Sequence, residues 1–157
     1  MNTNIIKPHY DLWSYDGKNS FTETITKKDF LSIDRQSVDH FLALDFGLWA
    51  FRTADGTWME YDISEKSLGP TSLKILDVVR CEPGEYFSPA DIVALTKDES
   101  LRNPNNLSAR WRAIRLAHLE TFKQPNSFFL SKRAGGMGIA WNRSKSFIQI
   151  TKIRNND

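Results

Sequence analysis

The sequence predicts an α+β domain, and three observations carry that prediction. A strand–turn–strand pattern occupies His40 to Tyr61. Three segments with helical apolar spacing and helix start signals follow, between 71 and 122. Two short apolar runs around a Gly-rich tip then occupy 127–142, with a last alternating segment at 146–153. The 157 residues include ten Phe, five Trp and four Tyr. That is enough apolar bulk for one ordinary core and too much for a disordered chain.

Residues 1–36 are polar and weakly patterned and read as an N-terminal extension, with residues 37–157 as the folded domain. Within the extension, Asp16 to Ser20 reads as a turn, and Thr22 to Ile33 has room for one or two short strands. Phe41 to Phe46 is strand-like, Gly47 breaks it, and Ala54-Asp55-Gly56 turns the chain between Leu48–Arg52 and Thr57–Tyr61. The segment 40–61 is therefore expected to be a small antiparallel sheet.

Thr71 or Ser72 can cap a first helix that reaches about Arg80, with Leu73, Leu76 and Val79 on one stripe and Ile75 beside it. Ser88 caps a second, with Pro89 at its first position and Asp91 completing a capping box. Ile92, Val93 and Leu95 form its apolar side. The stretch 96–106 reads as a loop, and Asn106 caps a third helix from Leu107 to about Phe122. At roughly 100° per residue, Leu107, Trp111, Ile114 and His118 share one direction. Ala109, Ala113, Leu116 and Ala117 fill an adjoining arc, Ser108, Arg112 and Arg115 lie together on an open polar arc, and Arg110 stands on the flank. Phe128 to Lys132 and Gly138 to Trp141 then flank a basic, Gly-rich tip.

Charge is divided along the chain. Residues 1–101 hold 10 Lys/Arg against 17 Asp/Glu, a net of −7, whereas residues 102–157 hold 11 against 2, a net of +9. Such a split points to a part that binds a polyanion. Sheet, three helices and a basic hairpin, in that order, are the layout of a winged helix-turn-helix with an N-terminal antiparallel sheet and a C-terminal wing. In that motif the last helix enters the DNA major groove, where Arg reads base edges, and the wing meets phosphate or the minor groove. The candidate DNA-binding residues are Asn105, Ser108, Arg110, Arg112 and Arg115 on or near the third helix, and Lys132 and Arg133 on the wing.

The sequence also resembles the OmpR/PhoB-type winged-helix family of transcription regulators over about residues 40–142. Leu68, Leu73, Ile75, Leu76 and Val79, then Pro83-Gly84, Tyr86-Phe87-Ser88 and Ile92, follow that family's spacing, and Gly138 to Trp141 looks like the end of its wing. Ser72 and Ile139 stand where the family has Glu and Tyr. The resemblance implies sequence-specific binding of double-stranded DNA and transcription regulation, with the transcription machinery or a second copy as further partners. The roughly 40 residues ahead of the domain are too few for the family's receiver domain. The alternative reading is an interaction module whose basic face meets an acidic protein.

Enzymatic chemistry has little support. His9, His40 and His118 are scattered, and His118 lies on the apolar stripe as a structural histidine would. No Asp/Glu spacing suggests a carboxylate pair or a metal site, and no helix start follows Gly135-Gly136 as a phosphate loop requires. Cys81 is the only cysteine, which excludes a disulfide framework and a Cys-rich zinc site. No cofactor is expected. No apolar run approaches the roughly 18–20 residues of a membrane helix, and the first residues lack the apolar centre of a signal peptide. The expected setting is soluble and cytoplasmic, without a membrane partner.

Overall fold

The computed structural model describes residues 9–63, 68–121, 124 and 126–153. In chain order the elements are β1 (His9–Tyr15), β2 (Ser20–Thr26), α1 (Lys27–Ser32), β3 (His40–Ala43), β4 (Leu48–Arg52), β5 (Trp58–Asp62), α2 (Pro70–Cys81), α3 (Pro89–Thr96), α4 (Pro104–Ala117), β6 (Phe129–Lys132), β7 (Gly138–Trp141) and β8 (Phe147–Lys152).

The class is α+β, but the architecture is not the expected winged helix with a small N-terminal sheet, three helices and a C-terminal hairpin. Six strands form one mixed sheet in the order β2-β1-β8-β3-β4-β5, β6 and β7 form a separate pair, and the described residues carry four α-helices. The strand that changes the picture is β8. It runs parallel to β3, with Phe41 opposite Ile148, and antiparallel to β1, with Leu12 opposite Ile150. The two ends of the chain therefore build the middle of the sheet.

Residues 9–26, set apart in the sequence as part of an extension, are two strands of this sheet. Their pattern is weak because β1 alternates exposed and buried residues only over His9–Leu12, and β2 is exposed from Ser20 to Thr24. Tyr10 and Leu12 are buried on one face, and Tyr15 on the other. The end of that segment is helical rather than extended. Thr26 Oγ1 accepts from the Asp29 N–H, and the Asp29 carboxylate accepts from the Thr26 N–H at 3.0 Å. This reciprocal cap starts α1.

One face of the sheet carries Leu42, Trp49, Phe51 and Phe147, which pack with Ile75, Leu76 and Val79 of α2 and Leu107, Trp111 and Ile114 of α4. The other face presents Phe41, Ala43, Ala50, Ile148 and Ile150, covered by Phe30 of α1, whose ring stacks on Phe46 at 4.0 Å.

The helix boundaries shift for local reasons. Helix α2 begins at Pro70 after Gly69, not at Thr71 or Ser72, because proline needs no N–H partner at the first helical position. The Ser88–Asp91 capping box of α3 is present, but Leu95 is exposed rather than on the apolar side. Helix α4 is capped by Asn103, whose Oδ1 accepts from the Asn105 N–H at 2.9 Å, with Pro104 next. Asn106 instead donates from Nδ2 to the Ser100 carbonyl. The expected loop 96–106 thus contains a short 3-10 turn over Glu99–Arg102 and the first turn of α4.

Helix α4 ends at Ala117 rather than near 122. Leu119 takes a left-handed φ of 61°. Its N–H reaches the Leu116 carbonyl, and the Glu120 N–H folds back to the Arg115 carbonyl at 2.8 Å. This closes the helix with a Schellman-type reversal. Leu107, Trp111, Ile114 and His118 are buried as expected, whereas Ala109, Ala113 and Leu116 are exposed. The apolar stripe of α4 is narrower than the sequence suggests.

Candidate functional site

Helix α4 and the β6–β7 hairpin stand side by side and enclose a groove of about 490 Å³. Two contacts set their separation. The Trp111 indole N–H donates to the Leu130 carbonyl at 3.1 Å, and the Ser108 hydroxyl donates to the Met137 sulfur at 3.6 Å. The hairpin is tied from behind as well. Phe87, in the α2–α3 connection, exchanges backbone bonds of 2.8 and 3.0 Å with Ile139. Gly135 and Gly136 take φ of 79° and 104° at the tip, a region that glycine enters without a Cβ clash.

Five of the seven residues singled out from the sequence line this groove: Ser108, Arg112 and Arg115 from α4, and Lys132 and Arg133 from the hairpin. Ser108, Arg112, Lys132 and Arg133 are exposed. Lys132 leans over the Tyr86 ring, with Nζ 5.2 Å from its centre, which holds the ammonium at the groove edge. Asn105 is exposed on the first turn of α4 and Arg110 on its flank, and neither lines the groove. Arg110 lies near Asp98, whose carboxyl is held low first by the Ser100 hydroxyl and also by Lys74 and Arg110.

Arg115 differs from the open position expected for it. Its side chain is only 11% exposed, with Nε 3.9 Å from the Glu120 carboxylate and Nη2 donating to the Thr121 carbonyl at 3.0 Å. Glu120 is itself buried. It accepts from Ser127 Oγ at 2.7 Å and from the Phe128 N–H. Burial pushes its carboxyl above the usual range, against the pull of Ser127, Phe128 and Arg115. The sequence reading missed Glu120, Ser131 and Met137 as groove residues. Only the i to i+5 reversal at the end of α4 returns Glu120 to Arg115, and helical periodicity does not describe that step.

Two scattered histidines meet in the core behind α4. His40 on β3 and His118 at the end of α4 are both fully buried, with their Nε2 atoms 2.9 Å apart. A carbonyl can only accept, so His118 Nδ1–H donates to Ile114 at 2.7 Å and its Nε2 is left as an acceptor. Arg80 donates to His40 Nδ1 at 3.3 Å and the Trp49 indole N–H points at His40 Nε2 at 3.3 Å, so both ring nitrogens of His40 face donors. A second proton there would set two N–H groups against each other beside a guanidinium. Burial, then His118 and Arg80, holds His40 well below the usual range. Burial, with Arg80 also acting, brings His118 down to about 3.

Arg80 is buried too, 4.6 Å above the Phe147 ring, and it donates to the Gln149 side chain, which passes a bond to Asp77 at 3.0 Å. Burial lowers its guanidinium to about 10. These groups join the sheet to α2 and α4, with His40, Arg80 and His118 fully buried. The described residues gather no three His, Cys, Asp or Glu side chains as a metal site. Among them, no helix is long and apolar enough to cross a membrane.

No protein-family model matches the chain, and neither a curated protein nor a solved structure matches it.

Proposed function

We propose that the chain binds double-stranded DNA through α4 and the β6–β7 hairpin, as a sequence-specific regulator of transcription. The observation that carries this reading is the convergence of Arg112, Lys132 and Arg133 on one groove, in the part of the chain with the +9 balance. The 14 residues of α4 make a rod that a major groove admits. Ser108 and Arg112 on its open arc face the base edges. Arg can contact guanine with two hydrogen bonds, so Arg112 carries sequence choice. Lys132 and Arg133, on a tip that glycines let approach a backbone closely, neutralise phosphate and carry affinity. The acidic first part of the chain repels DNA and leaves this face as the one that docks.

The division of labour predicts two different losses. Arg112→Ala should reduce affinity for a duplex selected from a random pool by about 1–3 kcal/mol and blur choice at one base position. Its exposure means that stability should change by no more than about 0.5 kcal/mol. The double substitution Lys132→Ala, Arg133→Ala should weaken binding to selected and scrambled duplexes by a similar factor, and flatten the salt dependence by at most about two units of slope. Binding of each variant to both duplexes at several salt concentrations checks the assignment. A hairpin variant that lost sequence choice while keeping its salt slope would move base reading to the hairpin.

A further inference from the structure

Arg115 lies in the same groove as Arg112, yet its surroundings differ. The reversal at Leu119 carries the chain back so that Glu120 sits on Arg115. The same carboxylate accepts from Ser127 and from the Phe128 N–H, at the foot of β6. A single buried anion therefore bridges the last turn of α4 and the strand that leads into the hairpin. The side chains of Arg115 and Glu120 are 11% and 6% exposed, so neither is presented to a ligand as Arg112 is. Buried charges are held where they are paired and hydrogen-bonded, and removing one partner leaves the other stranded.

We infer that Arg115, locked by Glu120, is a positioning residue that fixes the hairpin against α4, and that it does not itself contact nucleic acid. Its DNA readouts rest on the DNA-binding reading above. The hairpin brings Lys132 and Arg133, and α4 brings Arg112. The distance between those cations across the groove follows from how the two elements are joined. Trp111 joins them midway along the groove through Leu130, and the Arg115–Glu120–Ser127 chain joins them at its base.

The test is Glu120→Gln in the full chain, because two accounts predict opposite signs. If Glu120 were only an anion near a phosphate backbone, removing its charge would tighten binding to duplex DNA. As the lock on Arg115, its loss should weaken binding by about three- to tenfold. Arg115→Met should produce a similar loss with the salt slope of the parent, and the double variant should be no worse than either single one. A residue that contacted phosphate would lower the slope by about one unit.

Amide hydrogen exchange over 129–141, measured without DNA, should quicken in both variants. Should Glu120→Gln fail to fold, Ser127→Ala, which removes one bond to the same carboxylate, is measured in its place. Tighter or unchanged binding by Glu120→Gln, a lowered slope in Arg115→Met, or unchanged exchange in the hairpin would each overturn the inference. Failure of the parent to bind any duplex at low salt would instead remove the DNA-binding reading, and the exchange comparison would still judge the lock.

Discussion

Acidification from pH 7 to pH 5 should destabilise this protein. His40 and His118 are buried, and both are depressed below the ordinary value of 6.5, His118 to about 3. A group whose folded value is depressed in this way binds protons more readily in the unfolded chain. Its stabilising contribution is complete above pH 6.5 and is lost as pH falls towards the folded value. Each histidine that charges only on unfolding removes about 1.4 kcal/mol per pH unit in that window. At pH 4.5 His118 alone accounts for roughly 2–3 kcal/mol, and His40 acts in the same direction.

Glu120 opposes this trend, because its raised value favours the protonated folded form. The lowered carboxyls, such as Asp55 at about 2, reinforce the trend only below the ordinary carboxylate range. From pH 6.5 to 5 two histidines therefore act against a single opposing carboxyl, and the net trend is a loss of stability. Urea unfolding at pH 7.5, 6 and 5 should show the midpoint falling, and His118→Gln should be less stable at pH 7.5 but flatter across the series. A parent midpoint that stayed constant from pH 7.5 to 5 would show that the pair is not buried as a neutral unit.

Trp111→Ala should be a folding variant rather than a binding variant. The indole is 2% exposed, meets the Phe129 ring edge-on at 5.1 Å, and donates to the Leu130 carbonyl at 3.1 Å. Truncating a buried aromatic side chain costs about 3–5 kcal/mol. The Leu130 carbonyl would also lose its partner, a further penalty of about 1 kcal/mol. Against a total of about 5–15 kcal/mol this is a large fraction. At about 2–4 °C per kcal/mol for a chain of this size, the melting temperature should fall by roughly 8–16 °C or more. Trp111→Phe keeps most of the packing and should lose far less. An alanine variant that melted at the parent temperature would mean that this face of α4 does not pack on the hairpin.

These two predictions rest on parts of the molecule that differ in how far the sequence reveals them. The buried stripe of α4 is legible because helical spacing collects Leu107, Trp111, Ile114 and His118, and all four are buried. The Ser88–Asp91 cap and the hairpin around Gly135-Gly136 are legible because each depends on residues close in sequence. The six-stranded sheet is not. Its centre pairs β8 with β3 in parallel and with β1, more than 100 residues away, and no local pattern encodes that partnership. Strands covered on both faces also lose the alternation that would reveal them. The α1 cap was open to reading, since Thr26 and Asp29 have the required spacing. The His40–His118 contact was not, because it depends on where the sheet meets the end of α4. In the groove, exposed arcs were readable and the Glu120 return was not, so Arg115 looked as open as Arg112.

The central claim is that the cationic groove between α4 and the hairpin docks on a DNA backbone. A titration of the intact chain with a duplex of about 30 base pairs, at about 50 and 200 mM salt, tests it most directly. The two phosphate contacts of Lys132 and Arg133 would give a slope of log affinity on log salt near −1.8, and about a 12-fold loss of affinity between those two conditions. The account predicts measurable binding at low salt with a fall of that order. Absence of binding at about 50 mM salt, or binding that salt leaves unchanged, would contradict it.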